Sequence, residues 1–108
     1  MNKIVNLTPH VINVVSPEGE TLGTFAPSGA VARLATTNEP AGSVGGVPLT
    51  RTVFGEPIGL PTQEDGTILI VSGLVRGALP GRSDLASPGW LVRDDAGRVV
   101  GCEGLIIN

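Results

Sequence analysis

The apolar residues of this chain come in short runs separated by glycine, proline and acidic residues, and most runs alternate with a period of two. Lys3 to Leu7 is a short apolar segment that "TPH" then bends. "VINVVS" places Val11, Asn13 and Val15 on one side of an extended chain and Ile12 and Val14 on the other. "SPEG" follows, where Pro17 presets φ for a type I turn and Gly19 suits its last position. "ETLGTFA" returns, so residues 11–26 are predicted to form a hairpin. "AVARLAT" reads as a strand. "VPLTRTVFG" reads as another that begins on an edge, because Pro48 cannot donate to a ladder. "EPIGLP" is an extended piece broken by Pro57 and Pro61. Residues 37–46, "TNEPAGSVGG", carry turn chemistry throughout and are predicted to be an exposed, mobile loop.

"TILIV" is a continuous aliphatic run, which places it centrally with both faces buried. The period then changes once. "SGLVRGALPG" offers Ser72 as an N-cap and Leu74, Val75, Ala78 and Leu79 as an apolar stripe, so a short helix is predicted over about 72–79, stopped by Pro80 and Gly81. "WLVRDDAGRVVGC" is a second hairpin turning at "DDAG", and "LIIN" is a short final strand. The fold class is therefore mainly β: one domain over residues 1–108, a small barrel or sandwich of about seven or eight short antiparallel or mixed strands with one short helix.

Composition sharpens this in a few places. A chain of 108 residues supports a single core without staples. With one Trp, two Phe and no Tyr, the core is aliphatic and no stacking platform for single-stranded nucleic acid is present. Seven basic against ten acidic residues give a net charge of −3, which argues against general nucleic-acid binding. A local arginine cluster can still hold one small anion. The single cysteine excludes an internal disulfide and any zinc site needing two cysteines. There is no bilayer-length apolar run and no secretory h-region at the start, so no membrane association and a cytoplasmic location are expected.

Four constellations carry candidate chemistry. The strand-to-helix corner "ILIVSGLVRGALPGRSD" would present unpaired N–H groups at Ser72, with Gly73 allowing close approach and Arg76, Arg82 and Ser83 adding phosphate contacts. The plainer reading is that Ser72 only caps a packing helix and Arg82 pairs with Asp84. The corner has neither a Walker loop nor a dinucleotide fingerprint. His10, the only histidine, is a base or ligand contact on one reading and a turn residue on the other, with Thr8 beside it. It has no second histidine or metal-spaced carboxylates near it in sequence, so no metal and no cofactor are expected. Cys102 sits in the strand-like "VVGCEGL" without an activating neighbour and reads as a buried thiol. Ser72 lacks a nucleophile elbow. Glu64-Asp65 and Asp94-Asp95 read as turn residues. Glu56, between Gly55 and Pro57, is either a functional loop carboxylate or a solvated one.

The segments "KIVNLTPHVINVV", "APSGAVARL", "TVFGEPIGLP" and "GTILIVSGLVRGALPGRSDLASPGWLVRDDAGRVVGCEGL" together resemble a family of small phage and prophage proteins that open on "NLTPH". The resemblance covers most of the chain and carries over no catalytic residue. "RSD" at 82–84 stands where an Arg-Asp-Asp-like string belongs, and Ser83 replaces one of its carboxylates. The resemblance implies a host-takeover or anti-defence setting. The leading expectation is a non-enzymatic, cytoplasmic protein of the infected bacterium that binds and sequesters a small nucleotide signal. Its contacts would be Ser72, Gly73, Arg76, Arg82 and Ser83, with His10, Thr8 and Arg51 as secondary ones, in a homo-oligomer that deepens the pocket. The rival is a protein–protein inhibitor of a host defence enzyme, acting through a strand edge or residues 37–46. A virion accessory protein and a small nucleotide-processing enzyme using His10 or Glu56 rank below these.

Overall fold

The computed structural model describes residues 3–108. Among the described residues the protein is mainly β, with eight strands and one helix in chain order: β1 (Lys3–Asn6), β2 (Ile12–Val15), β3 (Thr21–Phe25), β4 (Arg33–Val44), β5 (Val47–Ile58), β6 (Thr67–Ile70), α1 (Gly73–Ala78), β7 (Leu85–Arg93) and β8 (Val99–Ile107). Six strands form one mixed sheet in the order β1-β6-β7-β8-β2-β3. The pairs β1/β6, β6/β7 and β2/β8 are parallel, whereas β7/β8 and β2/β3 are antiparallel hairpins.

The sheet curls until its two ends nearly meet. Its seam is closed by main-chain bonds from loop residues, Ser28 N–H donating to Asn6 O at 3.0 Å and Ala32 N–H to Leu7 O at 3.0 Å. "TILIV" is central and buried on both sides, as its unbroken aliphatic run requires. Leu69 and Val71 join Leu7, Ala32, Leu34, Val75 and Leu85 in one core cluster, while Ile70 between them is fully buried on the opposite face. Helix α1 is held by docking Val75 into that cluster rather than by its own propensity, which Gly73 and Gly77 weaken.

Both predicted hairpin turns form. Gly19 N–H donates to Ser16 O at 2.9 Å, and Gly97 N–H donates to Asp94 O at 2.9 Å. The Asp94 carboxylate accepts from Ala96 N–H and Arg98 N–H, the side-chain-to-backbone bonding that favours Asp in turns. "LIIN" is not a separate strand but the far end of β8. Along the β7/β8 ladder the chains approach so closely that a Cβ at Gly89 would clash with the Glu103 carbonyl oxygen.

The largest departure from expectation is residues 37–46, which are not a loop. β4 and β5 are 12 residues each and pair with one another from Arg33↔Ile58 to Val44↔Val47, as a separate two-stranded sheet. The turn is only Gly45-Gly46, with φ of 58° and 79°, both in the left-handed region that a two-residue hairpin loop requires. At ~3.4 Å per residue this ribbon runs for about 40 Å. It projects from the barrel, and Leu34 is its only buried residue. The radius of gyration is therefore 16.8 Å, against about 13 Å for a compact chain of this length.

Candidate functional site

The strand-to-helix corner is built from the end of β6, α1 and the start of β7. Ser72 adopts an extended conformation, and its Oγ accepts from Val75 N–H at 3.2 Å, capping a helix of six residues. Arg76 reaches from the last turn to β7, with Nε donating to Ser87 Oγ at 2.8 Å and Nη1 to Asn108 Oδ1 at 3.2 Å. The Asn108 amide in turn donates to the carbonyls of Arg76, Leu79 and Arg82, at 3.1, 2.9 and 3.2 Å, and so closes the C-terminal end of α1.

Arg82 is a clamp on Asp84. Its Nε and Nη2 donate to the two carboxylate oxygens at 2.8 Å each, and Nη2 also donates to Pro61 O at 3.0 Å. Asp84 is only 4 % exposed. The guanidinium's hydrogen bonds hold the Asp84 carboxyl below its ordinary value, against the opposing pull of burial and with help from the charge of Arg82. The same bonds raise Arg82 above the usual arginine range. An anion approaching Arg82 thus competes with Asp84 for its guanidinium. Arg76 differs: both of its bonds go to neutral oxygens, and no carboxylate within salt-bridge distance balances it among the described residues. A Cβ at Gly73 would meet nothing, so the helix entrance is open.

The remaining candidates lie elsewhere. Ser83 turns away from α1, accepting from Gln63 Nε2 at 3.3 Å, and lines a hollow of about 460 Å³ with Lys3, Glu64, Asp65 and Asp84. Three carboxylates and one ammonium make that hollow unsuited to phosphate. Thr8 is buried and bonded to the Asn6 side chain. His10 contributes its carbonyl to the same knot and borders an apolar cleft of about 290 Å³ with Val11, Leu91 and Val100. Arg51 and Glu56 are exposed on β5, with Arg51 3.4 Å from Glu39. Ser72 and Gly73 thus stand at the start of the helix and Arg76 in its last turn, while the Arg82 guanidinium is turned to Asp84 and Pro61; Ser83, the Thr8–His10 pair and Arg51 lie elsewhere. Cys102 is buried, its thiol near Gly104 O at 3.5 Å. Among the described residues no three His, Cys, Asp or Glu side chains gather closely enough to hold a metal ion, and no helix is long and apolar enough to cross a membrane.

Three features escape sequence reasoning. Asn6, fully buried, organises the turn around His10; an asparagine inside an apolar run, just before Leu-Thr-Pro, is its only signal. Asn108, which caps α1 from a distance in sequence of more than one strand, leaves no signal. The arm does leave one in "VGGV", a two-glycine hairpin turn between valines. Comparison of the chain with protein-family models, with curated proteins and with solved structures finds no match.

Proposed function

We propose that this protein is a non-enzymatic binding protein that acts by gripping another protein with its hairpin arm, in the phage-type setting that its sequence resemblance suggests. The observation that carries this reading is the arm itself. A ribbon of two 12-residue strands stands clear of the core with Val44, Val47, Leu49, Val53 and Phe54 exposed. An isolated two-stranded ribbon is at best marginally stable in water, so a ribbon this long calls for a partner surface. Its outer edges also offer unpaired main-chain donors and acceptors for strand addition. Inhibition of a host defence enzyme by occlusion needs nothing further from the chain.

A second reading, sequestration of a small nucleotide, is favoured by one specific observation: Arg76, in the last turn of α1, has only neutral side-chain partners and no carboxylate within salt-bridge distance among the described residues. Arg76→Ala is the variant that tests it. Arg82→Ala is not, since Arg82 holds a buried carboxylate.

Native mass spectrometry of the protein purified from bacteria carrying an active nucleotide-signalling defence tests both. The expected result is a complex of fixed stoichiometry with a defence protein, lost when Leu49 and Val53 are both replaced by lysine. A bound nucleotide mass that disappears in Arg76→Ala transfers the assignment to the second reading. A ligand-free chain that leaves the defence intact rejects both.

A further inference from the structure

The chain has four aspartates, Asp65, Asp84, Asp94 and Asp95; of these only Asp65 precedes a glycine, and no asparagine does. The others are engaged or hindered. Arg82 holds both carboxylate oxygens of Asp84. The Asp94 carboxylate accepts from Ala96 N–H and Arg98 N–H, and Asp95 is followed by the methyl-bearing Ala96. Asp65 and Gly66 are exposed, and among the described residues no cation lies within salt-bridge distance of the Asp65 carboxylate. Thr67 N–H donates to Glu64 O at 3.2 Å and closes a turn with Asp65 and Gly66 at its centre. Gly66 has a φ of 74°, and among the described residues only glycines take a positive φ, so the turn is type II. The Asp65–Gly66 bond is its central peptide. Among the described residues neither the Asp65 carbonyl nor the Gly66 N–H has a main-chain partner. That peptide plane therefore turns between its type II and type I settings without breaking a main-chain hydrogen bond. One sense of the rotation carries the Gly66 nitrogen into line with the Asp65 carboxyl carbon, and glycine has no Cβ to obstruct the approach.

We propose that Asp65 is a modification site, at which the folded chain converts aspartate to isoaspartate and thereby loosens the β1 edge of the barrel. The Gly66 nitrogen attacks Cγ of the Asp65 carboxyl group. The N–Cγ bond forms, one Cγ–O bond breaks, and the amide proton leaves with that oxygen as water. The product is a five-membered succinimide. Water then adds to its main-chain carbonyl carbon and breaks the carbon–nitrogen bond of the former peptide. Gly66 is left attached through Cγ, the α-carboxylate of Asp65 is freed, and the mass of the chain is unchanged. No oxidant, reductant or cofactor is consumed. The main chain gains one methylene immediately before β6. Gly66 O accepts from Lys3 N–H at 2.7 Å, where the β1/β6 ladder begins, so the added methylene displaces that bond. β1 stands at the end of the strand order and pairs only with β6 among the described residues, so no second ladder holds its start.

Timed incubation of the full chain at neutral pH and physiological temperature tests this. The probe is a protein-isoaspartate methyltransferase with labelled S-adenosylmethionine, which esterifies the freed α-carboxylate, and electron-transfer fragmentation of the digested chain locates the label. The expected signal grows with time, maps to Asp65 alone, and forms within about tenfold of the rate in the same chain unfolded by guanidinium chloride. Asp65→Glu lengthens the side chain by one methylene, so the five-membered ring cannot close and the signal should be lost. The position is exposed, so circular dichroism should show the fold retained. In the converted chain, separated by chromatography, the amides of β1 should exchange with solvent faster than in the unconverted chain, while those of the β7/β8 hairpin should not change. A folded chain that reacts more than about tenfold more slowly than the unfolded one overturns the proposal, because the turn then protects the bond. A signal that survives in Asp65→Glu, or that maps to Asp94 or Asp95, overturns it as well. Unchanged exchange in β1 after conversion overturns the link to the barrel edge, since the turn would then have absorbed the added methylene.

Discussion

Replacing Arg82 with alanine should destabilise the protein by about 3 kcal/mol, because it strands a buried carboxylate. Asp84 is 4 % exposed and both of its oxygens are bonded by the one guanidinium at 2.8 Å. The Asp84 carbonyl also accepts from Leu69 N–H at 2.9 Å, so disturbance there passes directly to the central strand. Arg82→Lys should recover only part of the loss, since an ammonium cannot present two parallel donors. The double substitution Arg82→Ala with Asp84→Ala should be more stable than Arg82→Ala alone, because the uncompensated charge is gone. Urea denaturation of the three variants measures all of this. A loss for Arg82→Ala of less than about 0.5 kcal/mol, the range of an ordinary surface change, would leave Arg82 free to serve as a ligand contact.

The same pair sets an acid limb. The Asp84 carboxyl is lowered from its ordinary value of 3.8, so its ionised form is preferred in the folded state. Its contribution is fully present above the unfolded-state value, near pH 4, and is lost as pH falls through the lower folded value. In Arg82→Ala the sign reverses. The unpaired, buried carboxyl titrates above its unfolded value, and acidification relieves its cost. The stability gap between wild type and Arg82→Ala should therefore narrow as the pH drops from about 7 to about 3. A gap independent of pH would show that Asp84 is not the source.

Local periodicity and turn chemistry make most of the barrel legible. The unbroken "TILIV", Pro17 and Gly19 in one hairpin, and Asp94 and Gly97 in the other fold as their side chains dictate. The plainer expectation for the corner is also what is observed: Ser72 caps, and Arg82 pairs with Asp84. The arm defeats local propensity because its first strand is rich in Thr, Asn, Gly and Pro, which are loop residues by habit. β5 supplies the valines and leucine, and cross-strand pairing carries β4 along with a bulge between Pro40 and Ser43. Long-range polar bonds are out of reach for a different reason. Asn108 meets Arg76, Leu79 and Arg82 only after the whole barrel has formed, and no local pattern encodes that meeting.

Asn6→Ala should be the most damaging single polar substitution, at about 4 kcal/mol, a large share of the stability of any domain of this size. The Asn6 side chain uses all of its common bonding capacity at one buried point. Its Nδ2 donates to His10 O at 2.7 Å and to Phe25 O at 2.9 Å, while Oδ1 accepts from Thr8 N–H at 2.9 Å and Thr8 Oγ1 at 2.7 Å. These bonds join the end of β1 to the end of β3 and so fasten the seam at which the curled sheet closes. Alanine leaves the groups around it short of partners with no room for bulk water, and a melting-temperature loss on the order of 20 °C is expected. Asn6→Asp separates hydrogen bonding from size. It keeps the acceptor that Thr8 needs but turns a second acceptor toward two carbonyls, so the ionised form is opposed by both its surroundings and its burial. The introduced carboxyl should titrate above its unfolded value. Its destabilisation should then be greatest at neutral pH and shrink on acidification, opposite in sign to the acid limb that Asp84 gives the wild type. Thermal melts of both variants between about pH 4 and pH 7 decide the matter. If Asn6→Asp melts with the wild type at neutral pH, the two carbonyl bonds do not hold the seam, and closure of the barrel rests on the main-chain bonds of Ser28 and Ala32 instead.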